Sequence, residues 1–354
     1  MKKRIIAILC AIVCAFPLFG ACGCNSLEPL SFSTAFIGEN SAELTPGYKE
    51  KLVYKVEYRN DANYFKKDET ITDEILSMQF TDGAYVSELE VLTGKPDDVL
   101  SDINAGSSTV FYKLTTSFSI NVSYKTADDK IERTDSISTV CYFYSGALAP
   151  LYSETKSSCT YVSVGKNSAK LSVIDSVGQV FYNEKKYKVV TDYVYYNSDK
   201  DNDEQRPKLD GSNLKEKEYD YESKTLIDNA ELLFALRNVA VDEEKTVYIP
   251  TVATNYGDYK SLAITNKAEN EQEITVKVNG SEKTERIKVK NLSYAINSKN
   301  GAGTSQKVVI QKSDKSSAIP DKALMIEYAE PLITQSSPSK LGALVYTLTE
   351  AYYG

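Results

Sequence analysis

Cysteines and carboxylates are the side chains of this 354-residue chain with the most chemistry to offer, because histidine is absent. Without an imidazole, a Ser-His-Asp or Cys-His nucleophile system and a histidine zinc site are excluded. Residues 199–204 alternate acidic and polar side chains as a calcium loop does, but they lack the glycine and the distal glutamate of an EF-hand. We interpret them as a solvated loop. The sequence therefore predicts no catalytic residue, no metal site and no cofactor.

A different cysteine chemistry is indicated at the N-terminus. Basic residues 2–4 precede an apolar run at 5–19 that is too short to span a bilayer comfortably, which is typical of a signal peptide. Small residues then lead into Cys22 and Cys24. This ending resembles the lipobox of bacterial lipoprotein precursors, and the resemblance implies that one of these two sulfurs carries diacylglycerol. Both cysteines fit the pattern, and the alternative is an ordinary secretory signal followed by chance cysteines.

A lipid on Cys22 or Cys24 would hold the chain at a membrane while the residues after it face water. We therefore expect a lipoprotein signal peptide at residues 1–23, a tether at 24–35, and a lipid-anchored location on the extracytoplasmic face of the cell membrane. The net charge of −8 offers no basic stripe, which argues against nucleic acid as a partner.

Cys141 and Cys159 are the cysteines in the body of the chain, and export would permit a disulfide between them. A hairpin that turns near residues 145–148 would place Cys141 opposite about Glu154 instead of Cys159. A disulfide therefore requires another register or a bulge, and free thiols are the alternative.

Alternation of apolar and polar residues is the clearest structural signal. From Val110 to Lys125 almost every second residue is apolar, which predicts a long strand with one buried face. Asn279-Gly280 is a strong hairpin-turn signal. Further strands are predicted at residues 51–58, 84–92, 137–144, 151–164, 169–174, 187–196, 246–254, 259–265, 274–278, 307–311, 324–328 and 343–352.

The predicted fold class is all-β, with two curved antiparallel sheets or half-barrels and one central helix. The N-terminal half covers residues 36–196, a polar loop covers 197–217, and the helix with the C-terminal half covers 218–354. The helix is predicted to begin at Thr225, because Asp228 follows three positions later and an apolar stripe runs from Leu226 to Val239. Residues 68–78 are predicted to be a helical or irregular excursion.

The order of motifs from residue 145 onward resembles a bacterial exported family known as domain of unknown function 3108. The run SGALAPLY at 145–152 precedes paired strands, the run DNAELLFALR at 228–237 precedes a second sheet, and PDKALMIEY at 320–328 is similar to the closing strands of that family. The resemblance covers most of the mature chain. It implies an envelope protein whose concave sheet is similar to lipoprotein-carrier folds, and therefore apolar ligands.

Four aromatic residues are candidates for a ligand-facing surface on a curved sheet, and ordinary core packing is the alternative for each. They are Tyr112, Phe118, Tyr193 and Tyr195. Such a surface would hold an acyl chain or an envelope glycolipid. The competing hypothesis is a structural or assembly lipoprotein that engages another envelope protein through a sheet edge or surface. Neither hypothesis is an enzyme.

Overall fold

The computed structural model describes residues 45–67, 75–94, 109–145, 148–164, 169–183, 185–197, 209–220, 226–237, 239, 241–252, 259–297, 305–312, 317–320, 324–333 and 340–354. Its strands are β1 (Lys49–Arg59), β2 (Ser77–Thr93), β3 (Val110–Lys125), β4 (Lys130–Tyr144), β5 (Pro150–Val164), β6 (Ala169–Tyr182), β7 (Lys186–Asn197), β8 (Lys215–Asp220), β9 (Ile227–Asp228), β10 (Thr246–Val252), β11 (Tyr259–Val278), β12 (Ser281–Asn297), β13 (Gln306–Gln311), β14 (Met325–Ile333) and β15 (Lys340–Tyr353).

These strands confirm the all-β class. They form one 15-stranded sheet in the order β8-β7-β6-β5-β4-β3-β2-β1-β15-β14-β13-β12-β11-β10-β9. The two groups of strands predicted from the sequence are joined because β1 pairs with β15. Strands that are adjacent in this order are antiparallel except β9 and β10. A short parallel pairing of β11 with β15 closes β11 to β15 into a ring.

The helical segment begins later than the sequence indicated. Residues 227 and 228 form β9, a 3-10 turn covers Asn229–Glu231, and helix α1 covers only Leu232–Leu236. The capping box is formed by Asp228 and Glu231, so the prediction that the helix begins at residue 225 was wrong, and Thr225 itself lies outside the described residues. Ile227 pairs with Thr251 of β10. This pairing keeps the residues that were predicted to form the first helical turn in an extended conformation. Within the described residues no helix has the length and apolar character needed to cross a membrane.

Tyrosines fill much of the inner face of the sheet. Tyr54, Tyr85, Tyr328 and Tyr346 are each at most 5% exposed, and the Tyr328 and Tyr346 ring centroids are 5.0 Å apart. Their hydroxyls find partners inside the core: the Tyr54 hydroxyl donates to the Met325 carbonyl at 3.0 Å. This explains the abundance of tyrosine, because its ring packs in the core while its hydroxyl is satisfied.

Candidate functional site

One cross-strand row links two of the four aromatic candidates. The strand register places Phe118 of β3 opposite Ile137, which lies opposite Ser157 of β5. Ser157 lies opposite Ser176 of β6, which lies opposite Tyr193 of β7. Because side chains that face each other across strands share one face of a sheet, this row runs along the inner face. From β3 to β7 the side chains in this row are first apolar, then two serine hydroxyls, and finally a tyrosine.

The middle of the inner face carries pairs of hydroxyl groups. The Ser157 and Ser176 oxygens are 2.7 Å apart, and those of Thr139 and Thr155 are 3.2 Å apart. A pair of hydroxyls has two O–H donors, and the bond within the pair uses one of them. The second donor needs another acceptor, which water or a ligand can supply.

Tyr193 and Tyr195 form the accessible end of this face. Tyr195 is 50% exposed, and its hydroxyl lies 2.6 Å from the Ser172 hydroxyl. Tyr193 is half-buried, and the Lys215 ammonium lies 5.0 Å from its ring centroid. Since Tyr195 presents much of its ring to solvent, it can contact a bound molecule.

Tyr112 and Phe118 lie instead in the packed core. The Tyr112 ring centroid is 5.4 Å from that of Phe143 and 5.8 Å from that of Phe234. Phe118 is 3% exposed, and its ring centroid is 5.9 Å from that of Tyr346. Side chains of the chain itself therefore fill the aromatic part of the inner face.

The cover over Tyr112 is residues 226–237, which we name the plug segment. Its first part is held by Asp228, which is fully buried. The Asp228 carboxylate accepts hydrogen bonds from the Ser153 hydroxyl at 2.6 Å and the Tyr182 hydroxyl at 2.5 Å. It also accepts from the Ala230 backbone N–H at 2.7 Å. Strands β5 and β6 are thereby tied to the plug segment.

Glu231 is a second fully buried carboxyl beside Asp228. Its Oε1 accepts from the Asp228 backbone N–H at 3.0 Å, while its Oε2 has no hydrogen-bond partner. Burial raises the pKa of Glu231 well above its ordinary value, and the neighbouring Asp228 charge raises it further. Burial also raises the pKa of Asp228, although its hydrogen bonds oppose that shift.

The end of the plug segment is held by an ion pair. Arg237 donates from Nη1 to Glu50 Oε1 at 2.6 Å and from Nη2 to Oε2 at 3.0 Å. Both side chains are 4% exposed. The geometry is bidentate, which is the strong form of an arginine-carboxylate contact. It fastens the plug segment to β1.

Cys141 and Cys159 are both buried, and no disulfide joins them. Cys141 faces Ser153 on β5, and Cys159 lies six positions further along that strand, roughly 20 Å away at the rise of an extended chain. The disulfide considered from the sequence is therefore not formed. To bring Cys159 opposite Cys141, β4 and β5 would have to pair in a register shifted by six residues, and they do not make such a shift.

Some of the predicted sites lie outside the described residues. These are the lipidation candidates Cys22 and Cys24 and the acidic loop at 199–204. In the part of the chain that the structure describes, no group of three or more histidine, cysteine, aspartate or glutamate residues could hold a metal ion.

Sequence reasoning missed the residues that hold the plug segment. The sequence contains the capping-box spacing Asp228-x-x-Glu231. The prediction instead used the preceding pattern, from Thr225 to Asp228. The Arg237 to Glu50 pair joins residues 187 positions apart, and no local pattern predicts it. The same holds for Ser157 and Ser176. Ser157 was predicted to lie on a strand without a role, and Ser176 lies beyond residue 174, where its strand was predicted to end.

Comparison with known proteins gives one similarity to a solved structure to report, and no family. No family model matches the chain, and no curated protein matches it. The chain is similar to the crystal structure of a β-barrel-like protein of domain of unknown function DUF1849 from Brucella abortus, with a TM-score of 0.43. Identity is 8%, over 88% of this chain and 99% of that one. The resemblance to domain of unknown function 3108 stays a prediction.

Proposed function

We propose that this chain is a non-catalytic bacterial lipoprotein that binds an envelope-derived ligand on the inner face of β5, β6 and β7. The lipid on Cys22 or Cys24 holds it at the extracytoplasmic face of the cell membrane. The observation that supports the ligand is the accessible end of the inner face, where Tyr195 is 50% exposed beside the Ser172 hydroxyl.

The chemistry of this end favours an amphipathic molecule. Tyrosine rings offer apolar faces, and the hydroxyls of Ser157, Ser176 and Ser172 can donate and accept hydrogen bonds. An acyl chain alone would leave those hydroxyls without new partners. A ligand that carries both apolar and hydroxyl groups, such as an envelope glycolipid, satisfies both parts of the surface.

The test is native mass spectrometry of the chain from Asn25 to Gly354, before and after exposure to a lipid extract of bacterial envelopes. We expect a bound mass in stoichiometric amount, and a reduced bound fraction in Tyr195→Ala. Tyr352→Ala is the matched control, because Tyr352 is 36% exposed on β15 and lies far along the sheet from β7. A chain that stays free of ligand in every condition would contradict the proposal.

A clean result without ligand would leave the second hypothesis, in which the sheet engages another envelope protein. Its edge strand β8 is not suited to strand addition, because Lys186 and Lys188 of β7 pair with Glu218 and Glu216 along it. Charged residues on an edge discourage pairing with another strand. A protein partner is therefore not expected to add a strand beside β8.

The anchor has its own test. The full chain is produced in bacteria supplied with a labelled fatty acid, together with Cys22→Ser, Cys24→Ser and the double variant. We expect one single variant to lose the label and the double variant to lose it fully. Label that persists in the double variant would exclude both cysteines.

A further inference from the structure

We propose that residues 226–237 form a pH-gated plug, which covers the aromatic part of the inner face while Glu231 carries a proton and leaves that face when the proton is lost. This inference rests on the proposed function only for what the uncovered face would bind. The motion itself follows from how the plug segment is held.

The plug segment depends on contacts with the sheet. Helix α1 has five residues, and a helix of that length is not stable on its own. Its Phe234 ring lies 5.8 Å from the Tyr112 ring centroid and 5.4 Å from that of Phe143. Lifting the segment would expose these two rings, which belong to the inner face of β3 and β4.

Two buried carboxyls, Asp228 and Glu231, control the release of the plug segment, and we name this pair the latch. A neutral Glu231 is compatible with its apolar surroundings, whereas an ionised Glu231 would place a second negative charge beside Asp228 with Oε2 unpartnered. Separation of the plug segment from the sheet would bring both carboxylates into water. Loss of the proton therefore favours the open form.

The other ionisable groups around Glu231 act in the same direction. Cys141 faces the pair from β4 and Tyr182 faces it from β6, and both become negative when they lose a proton. Ser153 of β5 is neutral in this range. Arg237, the cation of the plug segment, is paired with Glu50 at the far end. Rising pH thus adds only negative charge at the latch.

Cys141 is a natural reporter of this opening. It is fully buried next to the latch, and Cys159 is fully buried elsewhere on the same face. The full chain is treated with a thiol reagent between pH 6 and pH 9, and the labelling rates of the two cysteines are compared by peptide mass spectrometry. Their ratio removes the ordinary increase of thiol reactivity with pH.

We expect the Cys141 to Cys159 ratio to rise with pH by up to about tenfold per pH unit, the limit for one proton released on opening. Glu231→Gln keeps the capping-box acceptor without a titrating group, so the ratio should be flat in this variant. Glu273→Gln, a change of an exposed carboxyl on β11, should behave as the unchanged chain does.

A ratio that does not change with pH, or that rises equally in Glu231→Gln, would overturn the proposal. Hydrogen exchange of the unchanged chain provides a second measurement in case the variant does not fold. After correction for intrinsic exchange, residues 226–237 should lose protection with rising pH while β3 keeps it. Equal protection of the plug segment at pH 6 and pH 9 would also overturn the proposal. Neither result bears on ligand binding at Tyr195.

Discussion

At the scale of single residues, the most consequential contact is the buried pair of Glu50 and Arg237. Two charges removed from water are tolerated because each satisfies the other through two hydrogen bonds. The guanidinium also lies 5.3 Å from the Phe234 ring centroid. Burial lowers the pKa of Arg237 but the Glu50 charge outweighs that effect, so the pKa is raised and the guanidinium stays charged.

We expect Arg237→Ala to lower the free energy of unfolding by about 3–5 kcal/mol, because it leaves Glu50 as an uncompensated buried charge. The double variant Glu50→Ala with Arg237→Ala should cost less than the sum of the single changes. Urea denaturation followed by circular dichroism measures these values. Arg286→Ala is the control, because Arg286 is 72% exposed and should change stability by at most about 0.5 kcal/mol. Additive single and double values would contradict the pairing.

Asp135 provides a prediction about pH. Burial raises its pKa to about 6, against hydrogen bonds from Thr160 and the charge of Arg133. Because the folded state holds this proton more tightly than the unfolded state does, protonation of Asp135 stabilises the fold. The contribution is complete below the ordinary pKa near 4 and is lost as pH rises through 6. The stability of the unchanged chain relative to Asp135→Asn should therefore fall by about 3 kcal/mol between pH 4 and pH 7. A difference that is constant across this range would contradict the raised pKa.

At the scale of elements, close approach between strands fixes where glycine is required. Gly342 of β15 has φ of +95°, and a Cβ there would lie 2.6 Å from Tyr58 Cε2 and 2.8 Å from the Arg59 carbonyl oxygen. Gly280, in the turn between β11 and β12, has φ of +82° with no atom within 4 Å of such a Cβ. Both glycines have a positive φ, but they differ in their surroundings.

We expect Gly280→Ala to cost about 1 kcal/mol, the penalty of the left-handed conformation alone. Gly342→Ala should cost about 3 kcal/mol, since β1 must also move away from β15. Thermal unfolding of the two variants compares them directly. If both variants lose the same amount of stability, β1 and β15 can move apart at Gly342 without a free-energy penalty.

Sequence patterns predicted elements well where one face of a strand is buried. Strand β3 has the bounds predicted from its alternation, and the turn at Asn279-Gly280 joins β11 to β12 as expected. No strand was predicted over β12, because SEKTERIKVK at its start reads as polar, although Ile287 and Val289 are buried. Strand β8 begins at Lys215, inside the predicted loop. Its sequence is charged apart from Tyr219 and gives no apolar alternation, and pairing with β7 holds it extended.

At the scale of the whole molecule, the first and last strands are neighbours. β1 pairs with β15 over most of its length, and Lys49 and Gly354 exchange backbone hydrogen bonds at 2.9 and 3.0 Å. One hydrophobic core contains residues of strands on both sides of this seam, such as Leu89 and Leu344. No sequence pattern indicates such a pairing, because it joins residues almost 300 positions apart in the chain.

We expect removal of residues 340–354 to destabilise both groups of strands, because β1, β14 and the ring of β11 to β15 lose their shared partner. Hydrogen exchange should show lost protection in β5 and β6 as well as in β12 and β13. Replacing residues 215–220 by a glycine-serine linker is the control, since β8 is an exposed edge. Full protection of β5 and β6 after removal of β15 would instead support two independent halves, residues 36–196 and 218–354.

The pairing of β1 on both sides has a mechanical consequence. Under the proposed anchoring, any pull between the membrane and the protein enters the fold through the start of β1. Antiparallel ladders to β2 and β15 flank that strand, so the force acts along two rows of hydrogen bonds at once. When the force acts along the strands, all the hydrogen bonds of a ladder bear it at the same time, and they do not break one after another. The strand nearest the tether is therefore built to bear tension.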